Sequence, residues 1–189
     1  MTPAQSLKLI EEMIGQAKRS FHRQSYYFLL WGVLLITAMI VNYACAVQGN
    51  SYGGYAWLVV GVLGGILSFL RGSRERRKTH VSTAMDRVMM WLWTAFMVTL
   101  LTMMIAGGVH DHSVSIGATL VLTGLPTFVT GQLVRFLPLI LGGILFWVLG
   151  AIGYFVPDAG PWLYIAAMLF GYIIPGLMLK RQEDVLRAA

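Results

Sequence analysis

Hydroxyl-bearing and small side chains recur every four residues along one apolar run of the sequence. These positions are Ser115, Thr119, Thr123, Thr127 and Gly131. Because residues four apart lie on the same side of a helix, they would form one polar stripe. The stripe could line the path of a small neutral solute, with Thr130 and Gln132 at its inner mouth. It could instead make a close helix contact, since small and hydroxylated residues line helix interfaces in membranes. The sequence favours the contact and leaves both interpretations open.

A second polar cluster, His110-Asp111-His112, lies in a short segment between two apolar runs. Imidazoles two residues apart can share a metal ion or respond to acidification. A zinc site needs further ligands, and the chain has a single cysteine, Cys45. We interpret the segment as a solvated turn in which His110 and His112 are the only metal candidates. We therefore predict no metal site and no cofactor.

The eight carboxylates all lie outside the apolar runs. Ion-coupled transporters and proton relays usually place ionisable groups within the membrane, because binding or proton transfer requires them there. The sequence also contains no Gly-rich phosphate loop and no CxxC motif. These features argue against ion-coupled transport and against an enzyme, whereas passage of a neutral solute remains open.

Six apolar runs surround these groups, and each is long enough to cross a bilayer, which takes roughly 20 residues of helix. Only 12% of the residues are charged, about half the share of a soluble domain. The predicted spans are Ser25–Val47, Tyr52–Leu70, Val88–Gly108, Val114–Val134, Phe136–Val156 and Gly160–Leu179. The predicted fold class is all-α, a polytopic membrane protein. Because its outer loops are short, its six transmembrane helices are expected to pair as three hairpins.

Residues 1–24 predict a separate amphipathic helix. Apolar side chains recur at spacings of three and four, at Leu7, Ile10, Ile14, Ala17 and Phe21. The intervening charges make this helix too polar to span, so we expect it on the inner membrane face or against the cytoplasmic end of the bundle. The chain would then consist of this segment, a six-helix transmembrane domain over residues 25–179, and a cytoplasmic tail over residues 180–189.

Lysine and arginine are confined to one side of this predicted topology. All 14 precede the first span, follow the second, divide the fourth from the fifth, or follow the last. Because basic loops stay cytoplasmic, both termini are predicted to be cytoplasmic. Topology also accounts for the net charge of +6, without a nucleic-acid partner. The densest basic group could contact anionic lipid headgroups and comprises Arg71, Arg74, Arg76, Arg77 and Lys78.

The second span carries small residues at the spacing that lets two helices approach closely. Gly61 and Gly65 are four apart, and Gly64 and Ser68 repeat the spacing. This pattern indicates helix contacts within the bundle or between subunits. We therefore expect a homo-oligomer or a membrane partner protein. In the last span, Pro175 predicts a kink.

The run from Gly124 to Leu133 and the ending from Gly171 to Leu177 resemble six-span bacterial inner-membrane proteins of uncharacterised activity. This resemblance covers the C-terminal half of the chain and implies six spans in a bacterial inner membrane, with no activity to carry over. The layout is also similar, in architecture alone, to small acid-stress membrane proteins and to urea or amide channels. We predict a membrane protein without a catalytic site that acts through helix packing. The alternative is a channel or facilitator for a small neutral solute.

Overall fold

The computed structural model describes residues 3–76, 84–109 and 115–188, and within these ranges the chain forms helices and turns with no strand. A single π-helical turn, Leu169–Ile173, joins the last two helices into one span. In the same ranges, six spans are long and apolar enough to cross a membrane. The helical content without strands confirms the predicted all-α class, and the six spans agree with the predicted number. The helices are α1 Pro3–Val47, α2 Tyr55–Arg76, α3 Ala84–Val109, α4 Ile116–Val134, α5 Leu137–Phe155, α6 Gly160–Met168 and α7 Ile174–Ala188.

Helix α1 is one helix of 45 residues, so no helix boundary exists between residues 24 and 25. Its one proline, Pro3, occupies the first helical position, where the missing N–H costs little. At 1.5 Å per residue the helix is about 67 Å long, roughly twice the thickness of the hydrocarbon layer. The predicted amphipathic segment and the first span therefore belong to the same helix.

The turn between α4 and α5 is tight because Arg135 adopts the left-handed conformation, with φ of 55°. Its N–H and that of Phe136 donate to the carbonyls of Gln132 and Gly131, which closes the end of α4. Pro138 follows in the first turn of α5, where proline is tolerated. The predicted division of the fourth and fifth spans at Arg135 is confirmed, and the two helices run antiparallel side by side.

Helices α4 and α5 make the most extensive contact between helices in the described part of the chain. Bulky side chains of each helix occupy glycine positions on the other. A Cβ placed on Gly124 would lie 2.5 Å from Cδ1 of Trp147, and one on Gly143 would lie 2.6 Å from Cβ of Phe128. The ring centroids of Phe128 and Trp147 lie 5.2 Å apart. Small residues thus bring together two spans that belong to different predicted hairpins.

Aromatic contacts place the beginning of the first span beside the start of α3 and the join between α6 and α7. The Phe28 ring lies 6.2 Å from that of Trp93 and 5.2 Å from that of Tyr172. These spans end within about three turns of the contacts. Arg71 over the Tyr26 ring and Thr127 beside Tyr172 place the ends of α2 and α4 at the same level. The cationic residues of the spans therefore gather at one end of the bundle. We call this the basic end, and it carries Arg71, Arg74, Arg87, Arg135, Lys180 and Arg181.

Candidate functional site

The middle of the predicted polar stripe on α4 lies in the core of the bundle. Thr123 and Thr127 are buried, and their hydroxyls donate to the carbonyls of Thr119 and Thr123 at 2.7 and 2.8 Å. The Tyr172 hydroxyl lies 3.3 Å from Oγ1 of Thr127. A threonine hydroxyl has one proton and a carbonyl can only accept, so Tyr172 is the donor in this second bond. The result is a short chain of hydrogen bonds within an apolar bundle.

The other members of the predicted stripe lie elsewhere. Ser115 is exposed at the start of α4, and Thr119 is half-buried with its hydroxyl 3.2 Å from the Ser115 carbonyl. Gly131 is buried against α5, where an added Cβ would lie 2.7 Å from the backbone nitrogen of Ile140. Gln132 is exposed. The stripe is therefore divided into a buried centre and outlying positions, with Gly131 belonging to the α4–α5 contact.

Thr130 is fully buried, and no hydrogen-bond partner of its hydroxyl lies within the described structure. It lies one turn beyond Thr127, on a neighbouring side of α4. A buried hydroxyl without a partner costs about 1–3 kcal/mol. Thr130, which the sequence placed at the mouth of a path, is thus buried in the core, where its hydroxyl lowers the stability of the fold.

Two buried prolines flank this polar centre. Pro126 in α4 has no N–H to donate to the carbonyl of Leu122, and Pro175 has none to donate to the carbonyl of Gly171. A kink was predicted at Pro175, and the π-helical turn Leu169–Ile173 directly precedes this part of the span. Single π-helical turns within α-helices often occur at functional sites.

The small residues of the predicted contact motif in α2 divide into an inner pair and an outer pair. Gly64 and Ser68 face α1, where Trp31 packs 2.8 Å from a Cβ placed on Gly64 and donates its indole N–H to the Ser68 hydroxyl at 3.2 Å. Gly61 and Gly65 are exposed, and no atom lies within 4 Å of a Cβ placed on either. The first pair makes a contact within the bundle, whereas the second pair points outward.

An apolar groove of about 430 Å³ opens between α4 and α5, away from the basic end. Small side chains such as Gly117 and Ala151 leave the helix surfaces shallow here, and Phe155 borders the groove. None of the stripe threonines lines it. The polar centre and the groove are therefore separate features of the molecule.

Some of the predicted site residues lie outside the described ranges. His110 and His112 fall in the gap before α4, and Arg77 and Lys78 fall in the gap after α2. Within the residues that the structure does describe, no three metal-ligating side chains come together. His110 and His112 lie outside these residues, so the expectation that they form no metal site stays a prediction.

No protein-family model matches the chain, and no curated protein or solved structure matches it either. The class of protein therefore rests on the fold. Six long apolar helices in the described chain are compatible with an integral membrane protein. The resemblance of the C-terminal half adds no functional residue to this assignment.

Proposed function

We propose that the protein is a non-enzymatic component of the bacterial inner membrane that acts through helix contacts with a second copy or another membrane protein. The observation that carries this proposal is the outward-facing pair Gly61 and Gly65 on α2. Their GxxxG spacing is the one at which two membrane helices can bring their backbones close together.

The use of glycine elsewhere in the chain supports this interpretation. A glycine in a helix costs about 1 kcal/mol relative to alanine. At Gly124 and Gly143, close packing offsets this cost, because a neighbouring side chain occupies the space a Cβ would take. Among the α-helical glycines whose surroundings the structure describes, Gly61 and Gly65 are the two with no atom within 4 Å of an added Cβ. A helix from outside the described chain would complete the same kind of contact.

The contact can be tested by adding bulk at both positions. Replacing Gly61 and Gly65 with Ile should weaken association in liposomes about 5- to 150-fold, since overpacking a close contact costs about 1–3 kcal/mol. Val59→Ile is the matched control, because Val59 is exposed on another side of α2. Association would be measured by single-molecule photobleaching over a range of protein-to-lipid ratios. A parent protein that stays monomeric at every ratio, or a control that loses association equally, would contradict the proposal.

The proposed topology has three hairpins and places the basic end and both termini in the cytoplasm. It rests on the clustering of cations at that end, since basic loops remain cytoplasmic. In a Cys45→Ser background, Asp158→Cys should react with a membrane-impermeant maleimide on intact cells. Arg181→Cys should react only after permeabilisation. Both native side chains are exposed, so burial does not protect either site. The reverse labelling pattern would invert the proposed topology.

The buried hydroxyls of α4 support a second candidate, a facilitator for a small neutral solute. Thr127 and Tyr172 supply polar groups inside the bundle, and a rearrangement around Pro126 would be needed to open a path beside them. Replacing Thr123 and Thr127 with Val should abolish flux of urea or a similar neutral amide in proteoliposomes. Absence of flux in the parent protein, or flux that survives both substitutions, would count against the facilitator.

A further inference from the structure

We propose that the junction of α1 and α2 at the basic end binds the headgroup of an anionic phospholipid, with Arg71 and Arg74 as its phosphate ligands. The guanidinium carbon of Arg71 lies 4.8 Å from the centre of the Tyr26 ring. A cation over an aromatic face is held by the ring quadrupole. The five N–H donors of a guanidinium lie in its plane, so the ring holds the group while its edges can reach further acceptors.

A second cation and a phenol lie close to this pair. Arg74 is exposed one turn beyond Arg71, and residues three apart on a helix are neighbours on its surface. The Tyr27 hydroxyl approaches the backbone of α2 at Gly72, where it lies 3.4 Å from the position of an added Cβ. Two neighbouring guanidinium groups are suited to a phosphate, because arginine can bind its oxygens through two parallel hydrogen bonds.

The surface beside these arginines identifies the phosphate as part of a lipid. Leu63, Leu67, Leu70 and Arg74 follow one another at spacings of four, three and four on α2, and all four are exposed. They therefore form one face that changes from apolar to cationic at the end of the span. An acyl chain can lie along the leucines while its phosphate meets Arg74. A soluble phosphate would use only the cationic part of this face.

The depth of the junction in the membrane agrees with a headgroup. Tyr26 is the second residue of the span that begins at Ser25, and Arg71 lies in the last turn of the span that ends at Arg74. A tyrosine ring at this level prefers the boundary between hydrocarbon and water. A basic residue near such a surface contributes about a fivefold preference for anionic lipid.

The experiment is a titration of the detergent-solubilised full chain with phosphatidylglycerol or phosphatidylcholine, followed by native mass spectrometry. The parent should prefer phosphatidylglycerol, and Arg71→Gln or Arg74→Gln should each reduce that preference about fivefold. Arg181→Gln is the matched control, because it removes an exposed charge at the same end of the bundle. An equal loss in this control would show diffuse attraction and would overturn the site.

The role of the aromatic ring is tested by a pair of variants that leave the arginines unchanged. Tyr26→Phe keeps the ring and should bind phosphatidylglycerol as the parent does, whereas Tyr26→Leu should bind about two- to fivefold more weakly. Equal binding by both variants would overturn the positioning of Arg71 by Tyr26. Glycerol phosphate, added as a competitor, tests whether the site needs the acyl chains. If it displaces phosphatidylglycerol at an equal concentration, the lipid assignment is overturned. Helical circular dichroism and gel filtration establish that each variant is folded.

Discussion

Replacing Gly143 with alanine tests whether the α4–α5 contact holds the bundle together. The added Cβ would lie 2.6 Å from Cβ of Phe128 and 2.7 Å from its backbone N and Cα. Backbone atoms cannot turn away as the end of a side chain can. Ordinary contact begins at 3.4 Å, so the helices must separate by about 0.8 Å locally, and overpacking of this kind costs about 1–3 kcal/mol.

Gly61→Ala is the matched control for this substitution. The chemical change is the same, and the gain in helix propensity, at most about 1 kcal/mol, applies to both positions. No atom lies within 4 Å of the added Cβ at Gly61, so the control carries no steric cost. The difference in unfolding free energy between the two variants therefore isolates the α4–α5 contact.

The assay is unfolding of dilute protein in mixed micelles with increasing dodecyl sulfate, so that association through α2 does not contribute. Tryptophan fluorescence follows the transition, and Trp147 reports directly because it lies at the contact. Gly143→Ala should unfold at a lower detergent fraction than the parent, and Gly61→Ala at an equal or higher one. If Gly143→Ala unfolds together with Gly61→Ala, the close contact does not stabilise the bundle and this reasoning fails.

Three further predictions concern single hydroxyls or hydrogen bonds inside the bundle and use the same assay. Thr130→Val should raise the unfolding free energy by about 1–3 kcal/mol, because it removes a buried hydroxyl that has no partner in the described structure. Thr127→Val should lower it by about 0.5–1.5 kcal/mol, because it removes the bond with Tyr172; equal effects of the two substitutions would contradict both assignments. Trp31→Phe should cost about 1 kcal/mol through the lost bond to Ser68, and a Trp31→Phe variant as stable as the parent would show that this bond contributes nothing.

The number and approximate positions of the spans follow from the sequence because the thickness of hydrocarbon fixes their length. The ends of the helices do not follow from the same argument. Hydropathy finds where a chain can cross a bilayer, whereas a helix continues through charged residues once it reaches water. Helix α3 thus begins at Ala84 rather than Val88, with Asp86 in its first turn, where a carboxylate is favoured by the helix dipole. The separate helix predicted for residues 1–24 has the same explanation.

The α4 site was predicted only in part because the sequence does not reveal which side of a helix meets which neighbour. A search at a spacing of four found the threonines and included Gly131. The signal for the α4–α5 contact was a spacing of seven, two full turns of helix, which places small residues in register along one side. It is present in both helices, at Gly117, Gly124 and Gly131 in α4 and at Gly143 and Gly150 in α5.

The two pairs of small residues in α2 illustrate the same limit. Gly61 with Gly65 and Gly64 with Ser68 have identical spacing, so the sequence treats them alike. The structure separates them because the large indole of Trp31 occupies only the second pair. Tertiary packing, rather than local pattern, decides which of two equivalent motifs remains available to a partner.

Because α1 is uninterrupted, its N-terminal part is a rigid extension of the first span. About 22 of its 45 residues precede the first span, which corresponds to roughly 33 Å of helix. If the span tilts by about 10° as its surroundings change, the far tip of a rigid rod of that length swings by roughly 6 Å. A change in the tilt of the first span would in this way move the N-terminal end of α1 without any bend in the helix.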